Sequence, residues 1–234
     1  MRDREINDIL ESARSSDSPQ PESLTRISAS IRESLRPVRP LPPAWLLTAA
    51  LALVCAAVAL AGAARAGFDG IEKMAPWVRG LVFATLGIFI VIAANASVKA
   101  VIPGIRRRFS TGPLLSLCTL ALLAALALSF RDYHVDHFVS AGIACLITGL
   151  LHALPVALLA GLILRRGFAV RPATAGWIAG TLAGLAGVSV LELHCVNFEA
   201  AHVLFWHMAV IPVSAAIAAI AAAAWHRLHR FLAP

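Results

Sequence analysis

The stretch ATAGWIAGTLAGLAGVSVLEL, residues 173–193, decides what kind of protein this is. It holds no Lys or Arg, and its only acid is Glu192, close to its end. Its length matches the ~20 residues that a helix needs to cross ~30 Å of hydrocarbon. Gly176, Gly180 and Gly184 recur at four-residue intervals, with Gly187 beyond. Small residues at that spacing let helix backbones approach closely in lipid, so the stretch predicts a packed transmembrane helix.

Five more stretches read the same way: 44–63, 80–98, 113–130, 138–164 and 202–225, none containing Lys or Arg. The chain is 59% hydrophobic and 14% charged, with a mean hydropathy of +0.79, far from the composition of a soluble domain. These features predict an all-α integral membrane protein, a bundle of six transmembrane helices over 44–225 between a leader, 1–43, and a short tail, 226–234. No signal peptide precedes the first apolar run, which starts at Ala44 and so reads as an anchor.

A formal net charge of +7 suggests nucleic acid only until the charges are assigned to loops. Lys99, Arg106, Arg107, Arg108, Arg165, Arg166, Arg171, Arg227 and Arg230 fall in the loops after the second and fourth spans and in the tail, with no acid among them. The other three loops mix Arg65, Lys73, Arg79 and Arg131 with Asp69, Glu72, Asp132, Asp136, Glu192 and Glu199. The positive-inside rule then puts both termini in the cytoplasm. The basic excess belongs to topology and lipid headgroups, and no direct contact with nucleic acid is expected.

The leader balances seven arginines against seven acids. Ile6, Ile9, Leu10 and Ala13 follow the spacing of one helix face; Leu24, Ile27, Ile31 and Leu35 repeat it, with Pro21 near the start and Pro37 after the end. Helices this short rarely persist alone in water. A solvated leader that folds weakly onto the inner membrane face is one reading, but a helix lying on a membrane surface favours an excess of Lys and Arg on its polar face, and this segment balances its arginines with acids. The stripes therefore point to a protein partner that takes an amphipathic helix into a groove.

Chemistry gathers after the fifth span, in LELHCVNFEAAHVLFWH, residues 191–207, which holds Glu192, His194, Cys195, Glu199, His202 and His207. On this topology the segment turns on the outer side. Of the four cysteines, Cys55 lies mid-span and Cys118 near an inner end, leaving Cys145 and Cys195 in the outer half. They can pair if their helices bring the Cα atoms within ~7 Å. The alternative is a metal site for zinc or copper, with His194, Cys195, His202, His207 and Glu192 as candidate ligands. The intervals fit no zinc-finger or HExxH pattern. His202 and His207, five apart, should point about 140° away from each other on an α-helix. A third reading is a set of polar residues that cap a hairpin where it meets water. In the fourth span Cys145, Thr148 and His152 share a face, and His152 reads as a satisfied interior histidine. Without a GxSxG elbow, an HExxH or a Gly-rich phosphate loop, no catalytic residues and no small-molecule substrate are expected.

The six-span layout, the short leader and above all Glu192, His194, Cys195, His202, Trp206 and His207 resemble the NrsF-like family of membrane anti-sigma factors. Val196 stands where the family pattern has proline. The resemblance implies a protein of the bacterial inner membrane that sequesters an extracytoplasmic-function sigma factor through its leader and frees it under envelope redox or metal stress. It also implies a sensing pair, matched here by Cys145 and Cys195. The competing expectation is a metal-binding or transport-associated membrane protein that captures an ion at its outer His and Cys residues.

Overall fold

The computed structural model describes residues 21–34, 42–102, 110–133, 137–166 and 171–232. The chain divides into two units, Met1–Leu41 and Pro42–Pro234. In the first unit, helix α1 spans Pro21–Ser34. Proline at its first position has φ already set for a helix, while Glu22 in the first turn and Arg32 in the last complement the helix dipole. Ile27 and Ile31 lie one turn apart and are 55% and 54% exposed. Leu24 lies within α1, whereas Leu35 and the other expected stripe, with Ile6, Ile9 and Leu10, fall outside the described residues.

The second unit runs α2 (Ala44–Ala66), α3 (Asp69–Lys73), α4 (Pro76–Val101), α5 (Thr111–Ser129), α6 (Phe138–Arg166), α7 (Pro172–His194), α8 (Ala200–His202), a π-helical turn (Val203–His207) and α9 (Met208–Leu232). Six of its helices are long and apolar enough to cross a membrane, with α8, the turn and α9 continuous as one. They match the expected spans to within a few residues. Leu53, Leu60, Ile88, Leu120, Leu151, Leu158 and Ile220 stand exposed along their outer faces, as side chains facing acyl chains must. Trp45, Trp77, Trp177 and Trp225 are exposed near helix ends, where an indole bridges apolar and polar layers. Hydroxyls within the spans turn back onto their own helices: Thr85 donates to Leu81 O, Ser97 to Ala93 O and Ser189 to Leu185 O.

Helix α7 is the axis of the bundle. Every residue from Ile178 to Leu193 is buried, and α2, α4, α6 and α9 pack around it. A helix that meets protein on all sides needs no lipid-facing surface, which is why α7 is the least apolar of the six spans. Its glycines set the spacing. A Cβ at Gly180 would meet the Ser214 carbonyl of α9; one at Gly184 would come 2.7 Å from Ile211 Cα; one at Gly187 would strike the Gly149 carbonyl of α6. The obstacles are backbone atoms, which cannot rotate aside.

At one end of the bundle α3 caps α7, with Gly70 against the carbonyls of Glu192, Leu193 and Cys195. Arg79 closes the α3–α4 turn by donating to Met74 O and Glu72 O, each at 2.9 Å.

The glycines differ in what surrounds them: some meet the backbone of a neighbouring helix and others face open space. Gly184→Val forces α7 and α9 apart and is expected to lower stability by about 1–3 kcal/mol, the usual cost of overpacking. Gly80→Ala, Gly87→Ala and Gly161→Ala place a methyl where nothing lies within 4 Å and should be neutral or slightly stabilising. Thermal unfolding of the purified protein in detergent separates the two sets.

Candidate functional site

Three connections meet at the α3 end of the bundle. Phe130, just past α5, stacks on Phe198 in the α7–α8 turn with centroids 5.5 Å apart. Asp132 pairs with Glu199 along the backbone, and Ala200 N–H donates to the Asp132 carbonyl. Asn197 folds the turn by accepting the Glu199 N–H at 2.9 Å, an Asx-type contact. Cys195, with φ −70° and ψ 126°, holds the extended conformation that a following proline would impose, so the turn keeps its shape with Val196 in that place.

Under this turn Cys145 of α6 and Cys195 lie with their Sγ atoms 3.7 Å apart, both free thiols. His202 Nε2 is 3.7 Å from Cys195 Sγ. His207 Nδ1 bonds Glu192 Oε1 at 2.8 Å, with both side chains 1% exposed. Ligand atoms from Cys145, Cys195, His202 and His207 all fall within 4.8 Å of one another. His207 Nε2, the nitrogen left over from the Glu192 bond, is buried without a hydrogen-bond partner.

Two expectations fail here, each for a physical reason. His202 and His207 do not diverge: their rings meet edge-on with centroids 5.2 Å apart. The cause is the π-helical turn, in which Met208 N–H reaches Val203 O five residues back. That wider ring takes one extra residue into the turn, so positions five apart share a face. The hydrophilic hairpin cap fails for three of its six residues, because Glu192, His202 and His207 are buried while His194, Cys195 and Glu199 are half-buried. Sequence spacing carries no sign of the wider turn.

The other candidates separate in space. Glu192 stands behind His207. His194 lies on another side of α7, its Nδ1 3.9 Å from where a Gly67 Cβ would sit, outside the four-residue cluster. His152 is half-buried, with Nδ1 2.8 Å from Thr148 O, the satisfied interior histidine expected. Sequence reading singled out Trp206 but not the aromatic wall around it: Trp206 packs against Gly142 of α6, with Phe138 5.6 Å and Phe205 5.1 Å away between ring centroids. A Cβ at residue 142 would lie inside the indole, so Gly142 is what admits Trp206.

The sequence model of the NrsF family, described as negative regulator of sigma F, matches residues 32–228. The chain belongs to the NrsF family. No curated protein and no solved structure matches the chain. The match spans all six membrane helices, and for this NrsF chain it sets the cysteine and histidine cluster in a family of sigma factor regulators.

Electrostatically, contact with Cys145 and then burial push the Cys195 thiol above its ordinary range, while His202 and His207 pull it down by less. It is therefore protonated at neutral pH, and its reaction with an electrophile should quicken as pH rises beyond the ordinary thiol range. Closing the sulfurs from 3.7 Å to ~2.05 Å completes a disulfide. Mild oxidation of the purified protein should link Cys145 to Cys195 within one chain and leave Cys55 and Cys118 as thiols. Peptide mapping under non-reducing conditions checks this, and a link through either of the latter would contradict the geometry.

Proposed function

We propose that this chain is a membrane-bound anti-sigma factor that sequesters an extracytoplasmic-function sigma factor and releases it when envelope redox or metal stress changes the Cys145–Cys195 site. The observation that carries the reading is the 3.7 Å approach of these two thiols between α6 and α7 in a family of negative regulators of sigma F. The membrane is the bacterial inner membrane. The charge bias of the loops supports a cytoplasmic leader and an outward-facing thiol site.

Capture falls to the leader. The exposed pair Ile27 and Ile31 on α1 offers the apolar edge that a groove on a sigma factor would cover, with Leu24 and Leu35 extending the stripe in sequence and Ile6, Ile9 and Leu10 forming a second one. Release starts at the site. A stimulus shifts an equilibrium only if it favours one of two packings, and a bond between α6 and α7 does so because it exists in one alone. Reversing a bound-to-free ratio of 99:1 takes about 5.5 kcal/mol. A disulfide supplies roughly 2–4 kcal/mol, so the neighbouring imidazoles must add to it. Helix α7 is the element through which the change travels, because it touches α2, the helix next to the leader, along with α4, α6 and α9.

Transport finds less support. Among the described residues, the buried polar groups away from the site are Ser97, Thr181, Ser189 and Ser214, and the first three satisfy themselves on their own helices.

Two experiments test the reading. In full-length protein, Ile27→Glu with Ile31→Glu should abolish co-purification of the sigma factor, since each carboxylate costs a few kcal/mol in an apolar groove and every 1.4 kcal/mol is tenfold in affinity. Retained binding would return α1 to a solvated tether. In cells, Cys145→Ser and Cys195→Ser should keep the sigma factor bound yet silence a sigma-dependent reporter under oxidant, while Cys55→Ser and Cys118→Ser respond as wild type. A full response in both of the first pair would exclude a thiol mechanism.

A further inference from the structure

We propose that Cys145, Cys195, His202 and His207 form a four-coordinate site for a thiophilic divalent d10 cation of the zinc class, with Glu192 as the carboxylate that orients His207. The regulatory meaning of the site rests on the sensor reading above, whereas the binding stands on geometry alone. Around an ion with Zn–S of ~2.3 Å and Zn–N of ~2.0–2.1 Å, the edges of a regular tetrahedron are ~3.8 Å between sulfurs and ~3.6 Å between sulfur and nitrogen. Cys145 Sγ to Cys195 Sγ and Cys195 Sγ to His202 Nε2 both measure 3.7 Å. The thiols therefore already stand at ligand spacing, well beyond the length of a disulfide. No pair among the four ligand atoms exceeds 4.8 Å, so the set closes on an ion with shifts of about an ångström.

One buried polar atom at the cluster points the same way. His207 Nε2 is enclosed without a partner. A buried donor or acceptor left unsatisfied is costly, and a bound ion removes that cost. The Glu192–His207 bond at 2.8 Å supplies the outer contact that ligating histidines ordinarily make, and it leaves Nε2 as the free nitrogen. Two sulfurs and two nitrogens in a tetrahedron are the donor set of zinc. Glu192 and His194, both candidates by sequence, fall outside the ligand set, one behind His207 and one on another side of α7. Cys145 takes the place of His194.

Binding balances without electron transfer: M²⁺ displaces the two thiol protons, forms two metal–thiolate bonds and releases two H⁺. Disulfide formation instead gives up two electrons to an external oxidant along with the same two protons. The two states exclude each other, because the disulfide removes both thiolates.

The test uses full-length reduced protein in detergent. Zn²⁺ should bind at one ion per chain, and Co²⁺ in its place should show the intense visible bands of a tetrahedral centre with thiolate charge transfer. Cys145→Ser, Cys195→Ser, His202→Gln and His207→Gln should each weaken Zn²⁺ binding by 100-fold or more. Glu192→Gln should weaken it 10–100-fold while keeping the tetrahedral Co²⁺ spectrum, as an outer contact does. His194→Ala should bind normally. Wild-type protein oxidised by diamide should lose Zn²⁺ and regain it on reduction, which tests the site even if a buried variant fails to fold. A six-coordinate Co²⁺ spectrum, full affinity in both His202→Gln and His207→Gln, or Zn²⁺ retained after oxidation would each overturn the proposal. The sensor reading fails separately: zinc held by these four residues alongside a reporter indifferent to both cysteines leaves the site standing. A reporter that needs the cysteines in a protein showing no tetrahedral metal removes the site alone.

Discussion

The enclosure of α7 is the constraint on which the rest depends. Lipid offers helices no hydrophobic drive to associate, so a membrane bundle is held by close contact, and small residues are needed wherever two backbones come together. Gly176, Gly180 and Gly184 let α9 approach, and Gly187 admits α6. That approach brings Cys145 across to Cys195, and the same axis carries Glu192 into the interior, where it would be expensive without His207.

Length and apolarity alone exposed the six spans, because crossing hydrocarbon imposes a minimum on both. The glycine repeat in 173–193 also announced close packing. Its central position was not legible, since periodic small residues are equally compatible with a contact on one face. Continuous burial from Ile178 to Leu193 is a property of the neighbours as much as of the helix.

The site was half legible. Cys145 and Cys195 emerged from counting depth along two spans, a measure that survives any rotation of the helices. His202 and His207 were named as candidate ligands but not as neighbours, because their relative direction depends on residues per turn, and the sequence between them, VLFW, gives no hint of the wide turn. His194 was grouped with Cys195 by adjacency in the chain, yet consecutive residues at a helix end point about 100° apart. Gly142 went unnoticed because its role is only to be absent where the Trp206 ring lies.

The π-helical turn has a consequence for comparing relatives. A five-residue interval between the two imidazoles and the wide turn compensate for each other, so each is tolerable only in the company of the other. A relative that spaces these histidines four apart can bring the rings together on a regular helix. In an alignment the difference would look like a lone one-residue gap inside an uninterrupted apolar span, the kind of gap usually smoothed away. Restoring it at residues 203–207 keeps both the histidine pair and the face that Met208 to Leu232 turn toward α7 in register.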